Sequence, residues 1–138
     1  MNTIAPIRPT VQRPRRIALT AGPAAAAQAR RQVRAAISAW DIPVDPDVAV
    51  LLTSELVTNA IRHQPGQAVQ LTITCICGQL RVDVHDTSRS VPVPAHALPD
   101  AEAGRGLMLV ASLSADWGYH QTPKGKAVYF TLAFPDDP

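Results

Sequence analysis

At 138 residues the chain is long enough for one domain with its own core and too short for two ordinary ones. A composition of 46% hydrophobic and 17% charged residues is that of a globular protein, and no apolar run approaches the roughly 20 residues needed to span a bilayer. The net charge of +2 hides an asymmetry, because residues 1–34 carry seven Arg (8, 13, 15, 16, 30, 31 and 34) and no acid, leaving −5 on the remainder.

Residues 1–15, basic and interrupted by Pro6, Pro9 and Pro14, are expected to form a loosely ordered leader ahead of a single domain over 16–135. A basic arm can grip nucleic acid, but this one has no aromatic residue to stack on bases, so no direct nucleic-acid partner is expected. The opening residues also lack the apolar segment of a secretory signal, and a cytoplasmic location is the expectation.

"RIALT" (16–20) reads as a short strand with Ile17 and Leu19 on one face, ended by a turn at Gly22-Pro23. From Ala24 to Trp40 the chain is rich in Ala, Arg and Gln, with Ala25, Ala29, Val33, Ala36, Ile37 and Trp40 at helical spacing. This predicts an amphipathic helix whose Arg residues point outward, a candidate partner surface. "DIPVDPD" (41–47) breaks it, since Pro43 and Pro46 bias the residues before them away from the α region. A second helix begins near Asp45 or Pro46, carries Val48, Leu51, Leu52, Leu56, Ala60 and Ile61, and stops at Pro65-Gly66.

In "AVQLTITCICGQLRVDVHD" the residues Val69, Leu71, Ile73, Cys75 and Cys77 alternate with mostly polar neighbours. Gly78-Gln79 then turns the chain, and Leu80, Val82 and Val84 resume the alternation, which predicts a β-hairpin with one buried face. Cys75 and Cys77, two apart, are expected on that same face as small core residues. Metal binding would require further ligands, of which only His85 is near. Residues 87–103 hold three prolines and no period, a long connection of the kind that more often serves function than accident. After Gly104-Arg105-Gly106 a third helix is expected from Leu107 to about Leu113. It is followed by a strand at Trp117–Gln121, a turn at Pro123-Lys124-Gly125, and a strand in which Val128, Phe130, Leu132 and Phe134 share a face. The predicted fold class is α/β: a two-layer sandwich with a mixed, mostly antiparallel sheet covered on one face by about three helices.

Three segments combine residues of unusual kind. In "ELVTNAIRH", Glu55, Asn59 and His63 follow one another at intervals of four, which stacks them on one helix face. That face is either wet or chemical. Asn59 is a poor helix-interior residue whose neutral oxygen suits a hard cation, and Glu55 could deprotonate a hydroxyl or water. In "VHDTS", Asp86 ends a strand, where it can cap a turn or accept from an exocyclic amine. Gly104-Arg105-Gly106 is either loop punctuation or a helix start whose free N–H groups meet a phosphate.

In this order the segments resemble the GHKL ATPase and kinase superfamily, which includes the ATP domains of gyrase, heat-shock chaperones and histidine kinases. More narrowly the chain looks like the small anti-sigma factor serine/threonine kinases, often stand-alone domains in actinobacteria. "ELVTNAIRH" is similar to their N box, "DVHDTS" to the start of their first glycine box and "AGRGLMLV" to their second. The resemblance implies a Bergerat-type ATP domain and the cofactors ATP and Mg²⁺. Glu55 would be the general base and Asn59 the Mg²⁺ ligand. Asp86 would accept from the adenine amine, Gly104, Arg105, Gly106 and Leu107 would lie along the nucleotide, and His63 would meet phosphate or the lid formed by residues 87–103. It implies as partners an anti-anti-sigma factor of STAS type, as phosphorylation substrate, and a sigma factor held by sequestration. A homodimer is also compatible with it, and no membrane is involved. The alternative is a catalytically weak binding module on the same fold. Two positions depart from the family pattern: Thr87-Ser88 stands where relatives read x-Gly, and Ala127 where relatives place a Thr beside the adenine.

Overall fold

The alternating and helical stretches sort into one sheet and one helical layer. The computed structural model describes residues 12–20, 22–89 and 102–135, with 102–105 as backbone alone. Its elements in order are β1 (Arg15–Leu19), α1 (Ala24–Trp40), α2 (Pro46–His63), β2 (Val69–Ile76), β3 (Gln79–Asp86), α3 (Glu102–Leu113), β4 (Asp116–Thr122) and β5 (Gly125–Ala133). The strands lie in the order β1-β2-β3-β5-β4, and each neighbouring pair is antiparallel. The helices cover one face of this sheet, so the predicted two-layer α/β sandwich is what forms.

Local chemistry explains the helix boundaries. Asp45 sits in the β region and its carboxylate accepts the Asp47 N–H at 2.9 Å, while Pro46 takes the first helical position of α2. Arg62 falls in the last turn, where its positive charge is favoured by the macrodipole's negative end. α1 stops at Asp41, whose left-handed backbone (φ 51°) turns its N–H back onto the carbonyls of Ile37 and Ser38. Two of the outward Arg residues of α1 reach across to α2: Arg34 pairs with Asp47 at 2.8 Å, and Arg30 donates to the Ser54 hydroxyl at 3.2 Å.

Val33 of α1, Leu52 and Val57 of α2, and Leu71, Val82 and Phe130 of the sheet have no exposed surface. Each such side chain contributes about 1.5–3 kcal/mol of transfer free energy. The sheet's other face is closed by polar contacts. Arg81 grips Asp83 through two nitrogens at 2.9 and 3.0 Å and lies over the Tyr129 ring, whose hydroxyl donates to Asp116 at 3.3 Å.

Several boundaries differ from expectation. The β2–β3 turn is Cys77-Gly78, one residue earlier than predicted, with both residues at positive φ (46° and 80°) and Ile76 facing Gln79. A two-residue hairpin of this hand matches the twist of its strands. It removes Cys77 from the alternation, so Cys75 is buried and Cys77 exposed, and the two do not share a face. The presumed leader also joins the sheet earlier than expected, since β1 starts at Arg15 and the Gln12 N–H donates to the Cys75 carbonyl at 3.0 Å. Residues 1–11 and most of the expected lid, 90–101, lie outside the described residues. Its last two residues, 102 and 103, belong to α3. No helix among the described residues is long and apolar enough to cross a membrane.

Candidate functional site

On α2 the apolar residues Leu56 and Ala60 face the sheet, and Asn59 is drawn in beside them, 7% exposed. There it lines a cavity of about 10 Å³, walled by Leu56, Asn59, Ala60 and His63 of α2, Val84 and Asp86 of β3, and Lys126 and Val128 of β5. That volume admits about one water. The structure thus brings together Asn59, His63 and Asp86 from the predicted set, and adds Lys126.

Asp86 is the centre of the polar wall. Its Oδ1 accepts the Ser88 N–H at 2.8 Å and the Lys126 ammonium at 3.1 Å, and both side chains of the ion pair are 1% exposed. Oδ2 is buried without a hydrogen-bond partner among the described residues. A buried acceptor left unpaired costs about 1–3 kcal/mol, so a carboxylate oxygen held this way suits a ligand donor such as an exocyclic amine. Ser88, at the position where relatives carry Gly, is buried behind this carboxylate. Asp86 also forms part of the wall of a wider cleft of about 500 Å³ bounded by Gln70, His85, Thr87, Thr122 and Lys124.

Lys126 was not among the expected site residues, and strand register explains its position. β5 pairs Val84 with Val128, His85 with Ala127 and Asp86 with Lys126. Side chains alternate along a strand, so Lys126 shares the inward face of Val128 and Phe130, while Ala127 points to the outer face between His85 and His120. The side chain beside Asp86 is therefore Lys126, not Ala127. Carrying the Val128/Phe130 alternation back by two residues would have found it. Gly125 makes the apposition possible: a Cβ there would overlap the Asp86 carbonyl oxygen and lie 2.6 Å from the Thr87 Cα. Only glycine lets β5 run this close to the end of β3.

Glu55 stands one turn before Asn59, half-buried, with its carboxylate against α3. A Cβ on Gly106 would collide with Glu55 Oε2 and approach its Cδ to 3.4 Å. Gly106 is thus the contact point between α3 and the candidate base rather than loop punctuation. The glycine motif does not precede the helix as expected. α3 begins at Glu102, so Gly104 and Arg105 occupy its first turn and Gly106 the next position. Backbone N–H groups of a first turn have no intrahelical acceptor, so the anion-binding character moves onto residues 102–105. Leu107, expected along the nucleotide, is 2% exposed and packs in the hydrophobic core.

The exposed ring of His63 senses the same site. Partial burial lowers its pKa, the Lys126 charge lowers it further, and Asp86 pulls the other way. It is therefore a neutral imidazole at pH 7. No group of three or more His, Cys, Asp or Glu is placed to hold a metal among the described residues. A lone amide oxygen from Asn59 suits Mg²⁺, which keeps most of its shell as water and phosphate oxygen, better than a metal needing an all-protein cage.

An antiparallel sheet backed by helices, with a strand-end acid facing a helix that carries Glu and Asn one turn apart, defines a GHKL-type nucleotide-binding sandwich. A family model described as a histidine kinase-like ATPase domain matches residues 19–132, and the chain belongs to that family. Membership implies ATP binding. Among curated proteins, none matches the chain.

Proposed function

We propose that the chain is an ATP- and Mg²⁺-dependent serine/threonine protein kinase of the anti-sigma type, resembling the stand-alone actinobacterial ones. Its substrate would be a Ser or Thr of a STAS-type anti-anti-sigma factor, and its regulatory target a sigma factor held by sequestration. One observation supports this best: Glu55 and Asn59 lie one turn apart on α2, the first against Gly106 of α3 and the second in the cavity with Asp86. Asp86 would hold the base, Asn59 Oδ1 the Mg²⁺, and the first turn of α3 the phosphates. Bound Mg·ATP would supply the transferable phosphoryl group and a charge-neutralised leaving group. Glu55 would accept the proton of the substrate hydroxyl.

Titration calorimetry with Mg·ATP tests the proposal, and saturable binding is expected. Glu55→Ala should then abolish transfer while binding survives, and Asn59→Ala should weaken the Mg²⁺-dependent part of binding. Absence of binding at millimolar nucleotide refutes the kinase. The second reading, a module that binds its partners without catalysis, draws on the narrowness of the cavity and on Lys126 bonded to the base-reading acid.

A further inference from the structure

We infer that Lys126 is a base-selecting residue that opens the pocket to 6-oxopurine nucleotides, such as GTP, as well as to ATP. The inference rests on the nucleotide reading of this cavity and asks what its polar groups would read.

A carboxylate offers acceptors only. Standing alone at the base edge it takes the adenine amine and repels the O6 of guanine, so an Asp by itself selects adenine. Here the Asp does not stand alone. The Lys126 ammonium has three N–H groups, and its one hydrogen bond among the described residues is to Asp86 Oδ1. Two donors remain on a side chain that is 1% exposed, next to Asp86 Oδ2, a buried acceptor with no partner. The cavity wall therefore presents a donor and an acceptor side by side.

That pair complements two purine edges. For a 6-oxopurine, O6 accepts from Lys126 while N1–H donates to Asp86 Oδ2. For adenine the donor and acceptor positions are exchanged along the edge, so the Lys126 ammonium crosses to the other side of Oδ2, where N1 accepts from it while the amine donates to Oδ2. Lysine bonding to guanine O6 is among the commonest base contacts in protein–DNA interfaces, for the same reason of charge and lone-pair direction. Leu56, Ala60, Val84 and Val128 of the wall are apolar and Ala127 faces away, and of its potential donors Asn59, His63 and Lys126 only Lys126 is bonded to Asp86 among the described residues. Burial raises the cost of losing this donor, since a group left unpaired away from water is costly. The cavity of about 10 Å³ has to widen for any base, and the four-carbon stem of Lys126 is the long flexible chain in its wall. It swings aside while the ammonium stays near the carboxylate.

The test is calorimetry on the full chain with Mg·ATP and Mg·GTP, for the wild type, Lys126→Met (stem kept, donors removed) and Lys126→Arg (donors kept), with folding checked by circular dichroism. In the wild type, GTP should bind within about 10-fold of ATP, the size of one charged hydrogen bond. The GTP-to-ATP ratio of dissociation constants should rise at least about 10-fold in Lys126→Met and stay near wild type in Lys126→Arg. Wild-type binding of ATP with GTP weaker by more than about 100-fold overturns the inference, needs no variant and leaves the nucleotide site standing. A ratio unmoved by Lys126→Met overturns it too. ATP binding that appears only in Lys126→Met would make Lys126 a block rather than a reader, again overturning it. Binding of neither nucleotide by any of the three chains overturns the nucleotide reading and this inference with it.

Discussion

Gly106→Ala separates what α3 does for stability from what it does for Glu55. Within a helix, Ala is favoured over Gly by about 0.5–1 kcal/mol because it restricts the unfolded chain. Against this gain, the new Cβ collides with Glu55 Oε2 and stands 3.4 Å from Cδ and 3.5 Å from Cβ of the same side chain. The obstruction is the far end of a flexible side chain, so Glu55 can rotate away at an off-rotamer cost of about 0.5–1.5 kcal/mol. The two terms nearly cancel, and urea denaturation should show a stability within about 1 kcal/mol of wild type. The carboxylate, however, has been turned from its position. On the proposed kinase reading, in which Glu55 is a general base worth roughly 10²–10⁴-fold, the rate of phosphoryl transfer from Mg·ATP should fall by at least about 10-fold with nucleotide affinity unchanged. Wild-type transfer in a folded Gly106→Ala protein would refute the assignment of Glu55. A stability loss above about 2 kcal/mol would show that Gly106 serves helix packing instead.

Gly125→Ala should behave in the opposite way, because its Cβ meets backbone atoms of Asp86 and Thr87 that cannot rotate aside. A loss of about 1–3 kcal/mol in urea denaturation is expected, and an unchanged midpoint would contradict the close β3–β5 approach. Burial lowers the pKa of His85, the neighbouring charges of His120, Arg16 and Arg81 lower it too, and Asp83 opposes them. The unfolded chain therefore binds the proton more readily, and the stability held above the unfolded value of about 6.5 is lost as pH falls through it. Thermal melts between pH 7.5 and 5.5 should show a smaller acid loss in His85→Gln than in wild type, and equal losses would refute this.

The fold was legible wherever a local signal agreed with its packing. The bounds of α1 follow from its Ala-rich stretch, and those of α2 from Asp45-Pro46 and the Pro65-Gly66 stop. The hairpin was misplaced by one residue because propensity assigns the turn to Gly78-Gln79, whereas the pairing of Ile76 with Gln79 forces Cys77 into a left-handed conformation. The start of α3 was misplaced because Gly104 and Gly106 look like breakers. Glu102, Ala103 and Arg105 are good helix formers, and close packing on Glu55 repays the glycine at 106.

The site divides along the same line. Glu55, Asn59 and Asp86 could be found from spacing, whereas Lys126 could not be found from its type, since a lysine in an alternating strand is ordinarily assigned to the wet face. Its partner lies 40 residues away in sequence and is revealed only by register. The energetics then say why such a residue stands there. Two residues further along β5, the same pairing of β3 and β5 places Val84 beside Val128, and beyond that Val82 beside Phe130. Another apolar pair at the Asp86–Lys126 position would pack as well and avoid the desolvation of two charges, which buried ion pairs often fail to recover. The sheet therefore does not need Asp86 and Lys126 for its own stability. An ion pair that leaves one carboxylate oxygen and two ammonium protons without partners among the described residues, away from water, is a poor structural element, and on the proposed reading it is a suitable reader of a base edge.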